Sequence, residues 1–153
     1  GGLALDLARF RLTWLNNLFL RCLAPLLKAD ESRHITGATY MMMAALVVFV
    51  FFNQSVAVAA LLFLALGDST AAFVGMRTPG PRVFGKSPGG TIAFIAASWA
   101  AVGVLIAAGA VQYHWGLMAG AVVAGLVELT PLPVDDNLTV PITAGLVMHF
   151  FGV

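Results

Sequence analysis

An acidic residue closes a long apolar run in this chain. Residues 61–66 read Leu-Leu-Phe-Leu-Ala-Leu and lead through one glycine to Asp68. A carboxylate is costly to place in so apolar a helix, and an ionisable residue there therefore indicates a functional site. Ala71, Ala72 and Gly75 would share its helical face and leave room for a metal ion or a ligand. A structural ion pair between Asp68 and an arginine is the alternative.

A second polar cluster lies in a loop between apolar runs. Residues 80–87 fit the pattern G-x-x-x-x-G-K-[ST], which forms a P-loop only between a β-strand and a helix. Because an apolar helix precedes the loop here, we expect no P-loop fold. Glycine backbone and a helix N-terminus can still approach phosphates, and Lys86 can supply a point charge. Anchoring to anionic lipid headgroups is the alternative. The residues of this candidate phosphate site are Arg77, Arg82, Gly85, Lys86, Ser87, Gly90 and Thr91.

A third cluster places carboxylates and an amide close together in the sequence. Glu128 precedes a proline-rich loop, and Asp135, Asp136 and Asn137 follow it. Hard oxygen ligands of this kind suit Mg²⁺, which usually binds through one or two carboxylates and the phosphates of a substrate. Asp135 is better explained as part of a polar turn in which Asp136 or Asn137 caps the last helix. Glu128 and Asp136, with Asp68, are the candidate metal ligands, and Asn137 would ligate the metal or contact a nucleotide.

The composition places the chain in a bilayer. Hydrophobic residues make up 60% of its 153 residues and charged residues 10%, whereas a soluble domain is about half apolar and a quarter charged. The net charge is +1, and we expect no nucleic-acid partner. The single cysteine, Cys22, excludes an intrachain disulfide.

The apolar runs predict an all-α fold, a polytopic integral membrane helical bundle formed by residues 1–153 as one domain. Some runs are shorter than the roughly 20 residues that span a bilayer. The spacing Gly116-x-x-x-Gly120 predicts close helix packing. The five candidate membrane helices are 37–52, 55–76, 90–111, 115–129 and 138–153.

The N-terminal segment, residues 3–27, has a different pattern. Its polar residues, among them Asp6 and Arg9, fall on one face when each residue is stepped by about 100° around a helix. This predicts an amphipathic helix with basic residues that suit a membrane surface. Insertion across the bilayer, with the polar face turned into the bundle, is the alternative.

The loop charges predict an orientation. If the helices alternate, one side receives the loops with Lys28, Arg33, Arg77, Arg82 and Lys86, while the loops of the other side carry no Lys or Arg. By the positive-inside rule, the basic side is cytoplasmic. The polar clusters converge on this same side, where nucleotides are available.

Taken in order, the motifs resemble the dolichol/phytol/diacylglycerol kinase family. The resemblance covers nearly the whole chain, although Gly89 stands where the family often has Glu and the family's usual N-terminal helices have no counterpart in residues 1–153. Asp6-x-x-Arg9 is similar to the family's amphipathic lead-in. The remaining motifs are Glu31-x-x-x-x-Thr36-Gly37-x-Thr39-Tyr40, Gly67-Asp68-x-x-Ala71-x-x-x-Gly75, Gly85-Lys86-Ser87-x-x-Gly90-Thr91-x-Ala93, and Glu128 followed by Asp136-Asn137-Leu138-x-x-Pro141.

The resemblance implies a CTP-dependent kinase of a membrane lipid alcohol, with Asp68, Lys86, Glu128 and Asp136 as catalytic residues and Mg²⁺ as cofactor. Glu31 would be a further site residue. The partners would be CTP, the lipid alcohol and the bilayer, and a homo-oligomer is compatible with the sequence. The loop around Lys86 also looks like that of the CTP:phosphatidate cytidylyltransferases, so cytidylyl transfer is the second hypothesis. A non-catalytic membrane module for lipid binding or transport is the third.

Overall fold

The computed structural model describes residues 36–153, which form helices joined by short loops, as the predicted all-α class requires. The chain divides into two compact units, Gly1–Met43 and Ala44–Val153. The predicted amphipathic helix, with Asp6 and Arg9, and the candidate Glu31 lie outside the described residues. In the first unit, Thr36 accepts a hydrogen bond from the backbone N–H of Thr39 at 3.0 Å and so begins a helix.

The described helices begin and end at recognisable signals. Asn53 caps α2 by accepting a hydrogen bond from the backbone of Val56 at 2.9 Å, and Pro88 occupies the first turn of α3, where its missing N–H costs nothing. Asp135 caps α5. The bounds are α1 Gly37–Phe51, α2 Gln54–Arg77, α3 Pro88–Ala107, α4 Trp115–Leu129 and α5 Asp136–Phe150.

Helix α2 is not a regular α-helix along its whole length. Its middle, Phe63–Asp68, is π-helical, between α-helical Gln54–Leu62 and Ser69–Arg77. A π turn holds an extra residue and changes the faces that the two flanking segments present; such turns are frequent at functional sites. Asp68 is the last residue of this turn. The sequence pattern did not predict it.

Two helices are long and apolar enough to cross a membrane, judged by length and composition. They are α2, with 24 residues, and α3, with 20 residues. Only 44% and 33% of their most apolar windows are buried inside the protein, so most of this apolar surface faces outward. Helices α1, α4 and α5 have 15 residues each, fewer than the roughly 20 that span a bilayer. The five-span arrangement therefore stays a prediction.

The core of the second unit is formed by large side chains from different helices that meet small ones. Phe63, Phe94, Leu117 and Met148 are fully buried. A Cβ atom on Gly120 would lie 2.6 Å from Cγ of Met148, which confirms the predicted packing role of the Gly116-x-x-x-Gly120 spacing. This core holds the ends of α2, α3, α4 and α5 in fixed positions around the polar residues.

Helices α2 and α3 approach most closely at Gly90. A Cβ atom there would lie 2.8 Å from the carbonyl oxygen of Ala71, a backbone atom that cannot rotate away. One helical turn further along α3, the Phe94 ring lies 2.7 Å from the position of a Cβ atom on Gly67. The two helices therefore run antiparallel in close contact, and this contact forms one wall of the site described below.

We expect Gly90→Ala to lower the free energy of unfolding by about 1–3 kcal/mol, because the added methyl group must push two backbones apart. The measurement is thermal or denaturant unfolding of the purified protein in detergent.

Gly103→Ala on the same helix is the matched control. Nothing lies within 4 Å of a Cβ atom at Gly103, so alanine there should raise stability by about 0.5–1 kcal/mol through its higher helix propensity. Equal effects of the two substitutions would contradict the close approach at Gly90.

Candidate functional site

A cavity of about 200 Å³ lies between α2, the loop 78–87, the start of α3 and the end of α4. It brings together residues that lie up to 60 positions apart in the sequence (68 to 128) and contains members of all three predicted polar clusters. The lining residues are Asp68, Ala71, Ala72, Gly75, Met76, Arg82, Gly85, Lys86, Ser87, Gly90 and Glu128.

Helix α2 supplies the small-residue wall of this cavity. Asp68, Ala71, Ala72 and Gly75 lie at positions i, i+3, i+4 and i+7 and all line it, as their helical spacing predicts. Asp68 is exposed rather than buried. It lies nine residues before Arg77, the end of the helix, so it is about 13 Å further along the helix axis than the loop. The cavity thus extends from the loop toward the middle of an apolar helix.

The loop reaches the cavity through a tight hairpin. Val83 and Lys86 exchange two backbone hydrogen bonds of 2.9 Å, and Phe84 and Gly85 between them have φ values of 52° and 84°. Positive φ at both central residues is typical of a two-residue type I′ turn, in which glycine is favoured. This bridge is isolated and no strand is present among residues 36–153, which agrees with the expectation that the loop is not a P-loop. The turn places Gly85 and Lys86 at the cavity.

Lys86 joins the loop to both acidic helix ends. Its Nζ lies 2.6 Å from Oδ2 of Asp136 and 3.0 Å from Oε1 of Glu128, and it also donates a hydrogen bond to the backbone carbonyl of Glu128. Glu128 is buried, with 6% of its surface exposed. Because a buried carboxylate without a partner is strongly destabilising, Lys86 provides the charge that makes this placement tolerable.

The charge state of Lys86 follows from these contacts. Burial of the ammonium group would by itself lower its pKa, but the hydrogen bonds that it donates to Asp136 and Glu128 outweigh that effect, and the pKa of Lys86 is raised above the usual 10.5. Lys86 is therefore a fixed positive charge at every physiological pH.

The acidic residues lie at helix ends on either side of the loop 130–135. Glu128 is the penultimate residue of α4, and Asp136 is the first residue of α5. Asp135 accepts hydrogen bonds from the backbone N–H and the side-chain amide of Asn137, at 2.9 and 2.7 Å. The cap of α5 is therefore Asp135 rather than Asp136 or Asn137, the two residues predicted for this role, and it sets the start of α5 and hence the position of Asp136.

Four predicted site residues among residues 36–153 are not among those that line the cavity. Asp136, one of them, contacts the lining residue Lys86 instead. The Arg77 guanidinium lies 3.7 Å from the centroid of the Phe73 ring, on its own helix. Asn137 is engaged with Asp135. Thr91 follows the cavity residue Gly90, but its Oγ1 is buried and has no hydrogen-bond partner within residues 36–153.

A divalent cation was predicted to bind Asp68, Glu128 and Asp136 together. Within residues 36–153, no group of three or more His, Cys, Asp or Glu side chains is close enough to hold a metal ion. The carboxylates of Glu128 and Asp136 both contact the Lys86 ammonium, which occupies the position between them. Asp68 lies on α2, in a different wall of the cavity. The oxygen donors present suit Mg²⁺ held by one or two carboxylates and by phosphates of a ligand. Metal binding stays a prediction.

Two features of the site were missed by the sequence analysis. The π turn that ends at Asp68 has no reliable sequence signal beyond the nearby glycine. The contact of Lys86 with Glu128 and Asp136 joins residues 42 and 50 positions apart, a separation that no local pattern reports, although the scarcity of charged residues in the chain indicated that opposite charges would pair.

No known protein family, characterised protein or solved structure that we compared with the chain matches it. The motif resemblance and the geometry of the cavity are therefore the grounds for a function.

The raised pKa of Lys86 predicts how stability depends on pH. The folded protein holds the proton of Lys86 more tightly than the unfolded chain, so the stabilisation is complete below pH 10.5 and is lost as the pH rises above that value through the folded pKa. We expect wild type to have a higher melting temperature than Lys86→Met at neutral pH, and the difference to shrink above pH 10.5.

The measurement is a series of melting curves in detergent for both proteins from neutral to strongly alkaline pH. Because the two proteins differ only at position 86, the difference between the curves reports on Lys86 and its ion pairs. A difference that stays constant across this range would mean that the ammonium charge does not stabilise the fold.

Proposed function

We propose that the protein phosphorylates a membrane lipid alcohol with CTP as the phosphoryl donor. The observation that supports this proposal best is the cavity in which Arg82, Lys86 and the Gly85 turn lie opposite Asp68 and beside Glu128. Phosphoryl transfer requires mainly positioning and charge stabilisation, and these residues supply both. The choice of CTP and of a lipid alcohol comes from the motif resemblance.

The loop end of the cavity suits the triphosphate. Arg82 and Lys86 are cations, the Gly85 turn exposes backbone N–H groups, and Ser87 precedes α3, a helix of 20 residues whose N-terminus faces the cavity through Gly90. A helix N-terminus attracts phosphate because its first N–H groups are unpaired and its dipole is positive there. When bound with the nucleotide, Mg²⁺ would neutralise phosphate charge; Glu128 and Asp136 are the carboxylates nearest to such an ion.

The deeper end of the cavity suits the lipid hydroxyl. Asp68 lies on an apolar helix, so a lipid can present its hydroxyl group to this carboxylate without leaving the bilayer. Asp68 would accept the hydroxyl proton as the O–H bond breaks. The alcohol oxygen forms a bond to the γ-phosphorus, the bond from that phosphorus to the β-phosphate oxygen breaks, and CDP leaves. Ala71, Ala72 and Gly75 leave the space through which the two substrates meet.

The proposal includes a membrane arrangement. We infer that α1, α4 and α5 complete a five-helix bundle with α2 and α3, in which short helices rely on their neighbours and on a thinner or polar environment. Large apolar side chains on the outer faces of the two long helices support contact with lipid: Phe73, Ile92 and Val104 are 55%, 69% and 68% exposed. The basic loop 77–86 would then face the cytoplasm.

This orientation predicts the accessibility of two loops. In a Cys22→Ala background, single cysteines that replace Arg82 and Gln112 should react with a membrane-impermeant maleimide from opposite faces of sealed vesicles, because α3 separates them. Arg82 should label from the cytoplasmic face. If both positions label from one face, α3 does not cross the bilayer and the proposed arrangement is wrong.

The kinase proposal predicts which phosphate reaches the lipid. Membranes containing the protein should transfer label from γ-labelled CTP, but not from α-labelled CTP, to a long-chain alcohol or to diacylglycerol. Asp68→Asn should reduce this transfer by about 100-fold or more, the size of effect expected for a general base. Chelation of divalent cations should stop it.

Asp135→Asn is the matched control, since asparagine also caps helices and Asp135 is not part of the cavity lining; its transfer rate should stay close to that of wild type. Label from the α-phosphate with release of pyrophosphate would establish a cytidylyltransferase instead. Transfer from neither position would leave a non-catalytic membrane protein.

A further inference from the structure

The Lys86 ammonium group already has three oxygen atoms around it in this structure. Its Nζ contacts Oδ2 of Asp136 at 2.6 Å, Oε1 of Glu128 at 3.0 Å and the backbone carbonyl of Glu128. A lysine ammonium has three N–H donors and no acceptor. The ammonium group is therefore directed at the carboxylate pair and not at a phosphate oxygen, although Lys86 lines the cavity in which we place the triphosphate.

The same contacts mean that a cation already lies where two carboxylates converge. Lys86 carries one charge against the two of Glu128 and Asp136, and Glu128 is buried with 6% of its surface exposed. The carboxylate pair therefore requires a cation in every state of the protein, since an uncompensated buried charge is strongly destabilising. A second cation can enter only if Lys86 withdraws, and Lys86 can withdraw only if another cation takes its place.

We propose that Lys86 is an exchangeable internal cation, which occupies the Glu128–Asp136 pair until a divalent metal ion enters together with a nucleotide. In the exchange, the metal ion takes the carboxylates and the ammonium group turns to the phosphates. The nucleotide part of this inference rests on the proposed function, whereas the competition between Lys86 and a divalent cation does not depend on any reaction.

The geometry permits this movement. The Lys86 side chain is 32% exposed and lies at the edge of an open cavity, and its four-carbon stem is flexible. Both states keep the carboxylates in contact with a cation: the ammonium group contacts them in one state, and the metal ion contacts them in the other while the ammonium group contacts phosphate. The metal ion and the nucleotide should therefore each increase the affinity for the other, by the same factor.

The test measures Mn²⁺ binding directly, by the electron paramagnetic resonance signal of free Mn²⁺, in purified full-length protein without a lipid substrate. Wild type should bind Mn²⁺ weakly alone, and at least tenfold more tightly with a non-hydrolysable CTP analogue. Lys86→Met should bind Mn²⁺ at least tenfold more tightly than wild type without the analogue, and the analogue should enhance its binding less. A variant that loses a phosphate-binding residue would thus gain metal affinity.

Two further variants locate the effect. Adding Asp136→Asn to Lys86→Met should remove the gained Mn²⁺ affinity, whereas adding Asp135→Asn, the neighbouring carboxylate that only caps α5, should keep it. Mn²⁺ should also raise the melting temperature of Lys86→Met more than that of wild type, because the ion restores a partner to Glu128.

Mn²⁺ binding by folded Lys86→Met that is no tighter than that of wild type would overturn the proposal. If Lys86→Met does not fold even with Mn²⁺, the single variant Asp136→Asn provides the test. This substitution leaves Lys86 and any metal ion with one carboxylate fewer. If the CTP analogue then enhances Mn²⁺ binding as much as in wild type, the exchange is overturned. These binding results are independent of label transfer, so the exchange can hold where the kinase proposal fails.

Discussion

One ion-pair cluster connects the parts of the site that are distant in the sequence. The Lys86 ammonium at the end of a tight turn contacts Glu128 at the end of α4 and Asp136 at the start of α5. In a chain with only 10% charged residues, a buried carboxylate has few partners to choose from, and the cost of leaving it alone is several kcal/mol. The positions of the loop and of both helix ends are therefore determined by a single cation.

The second constraint is the close contact between α2 and α3. Gly90 lies against the backbone of Ala71, and Gly67 lies against the Phe94 ring. These contacts bring the N-terminus of α3 next to the small-residue face that follows Asp68. The cavity lies beside this contact and is bounded by the loop 78–87. Its polarity comes from Asp68 within α2, from the loop cations and from Glu128 near the end of α4. Its shape comes from the absence of side chains at the glycines.

The sequence predicted the helices and much of the site, because both depend on local patterns. Apolar runs bounded by Gly, Pro and polar residues predicted each described helix, and helical spacing placed Ala71 and Gly75 beside Asp68. The start of the last helix was also predicted closely, although its cap is Asp135 rather than Asp136 or Asn137. Partners at long range could not be predicted: Lys86 was assigned to phosphates from its motif, yet in this structure it contacts carboxylates. Arg77 was also assigned to phosphates, but it lies on Phe73, four residues earlier on its own helix. The bounds of α4 were predicted as observed, whereas the predicted helices 37–52, 90–111 and 138–153 continued past the observed C-terminal ends of α1, α3 and α5.

The π turn in α2 has a consequence for how this helix tolerates change. Buried residues Phe63, Gly67, Ala71 and Gly75 recur every four positions, whereas an α-helix needs only 3.6 residues for a full turn, so a straight helix would rotate this row by about 40° at each step. The wider turn at Phe63–Asp68 compensates part of that rotation. Deleting one residue there would leave the composition and apolarity of the helix almost unchanged, yet it would turn Asp68 by about 100° relative to the segment before it. The number of residues in this turn, more than the identity of their side chains, therefore keeps the Asp68 carboxylate directed at the cavity.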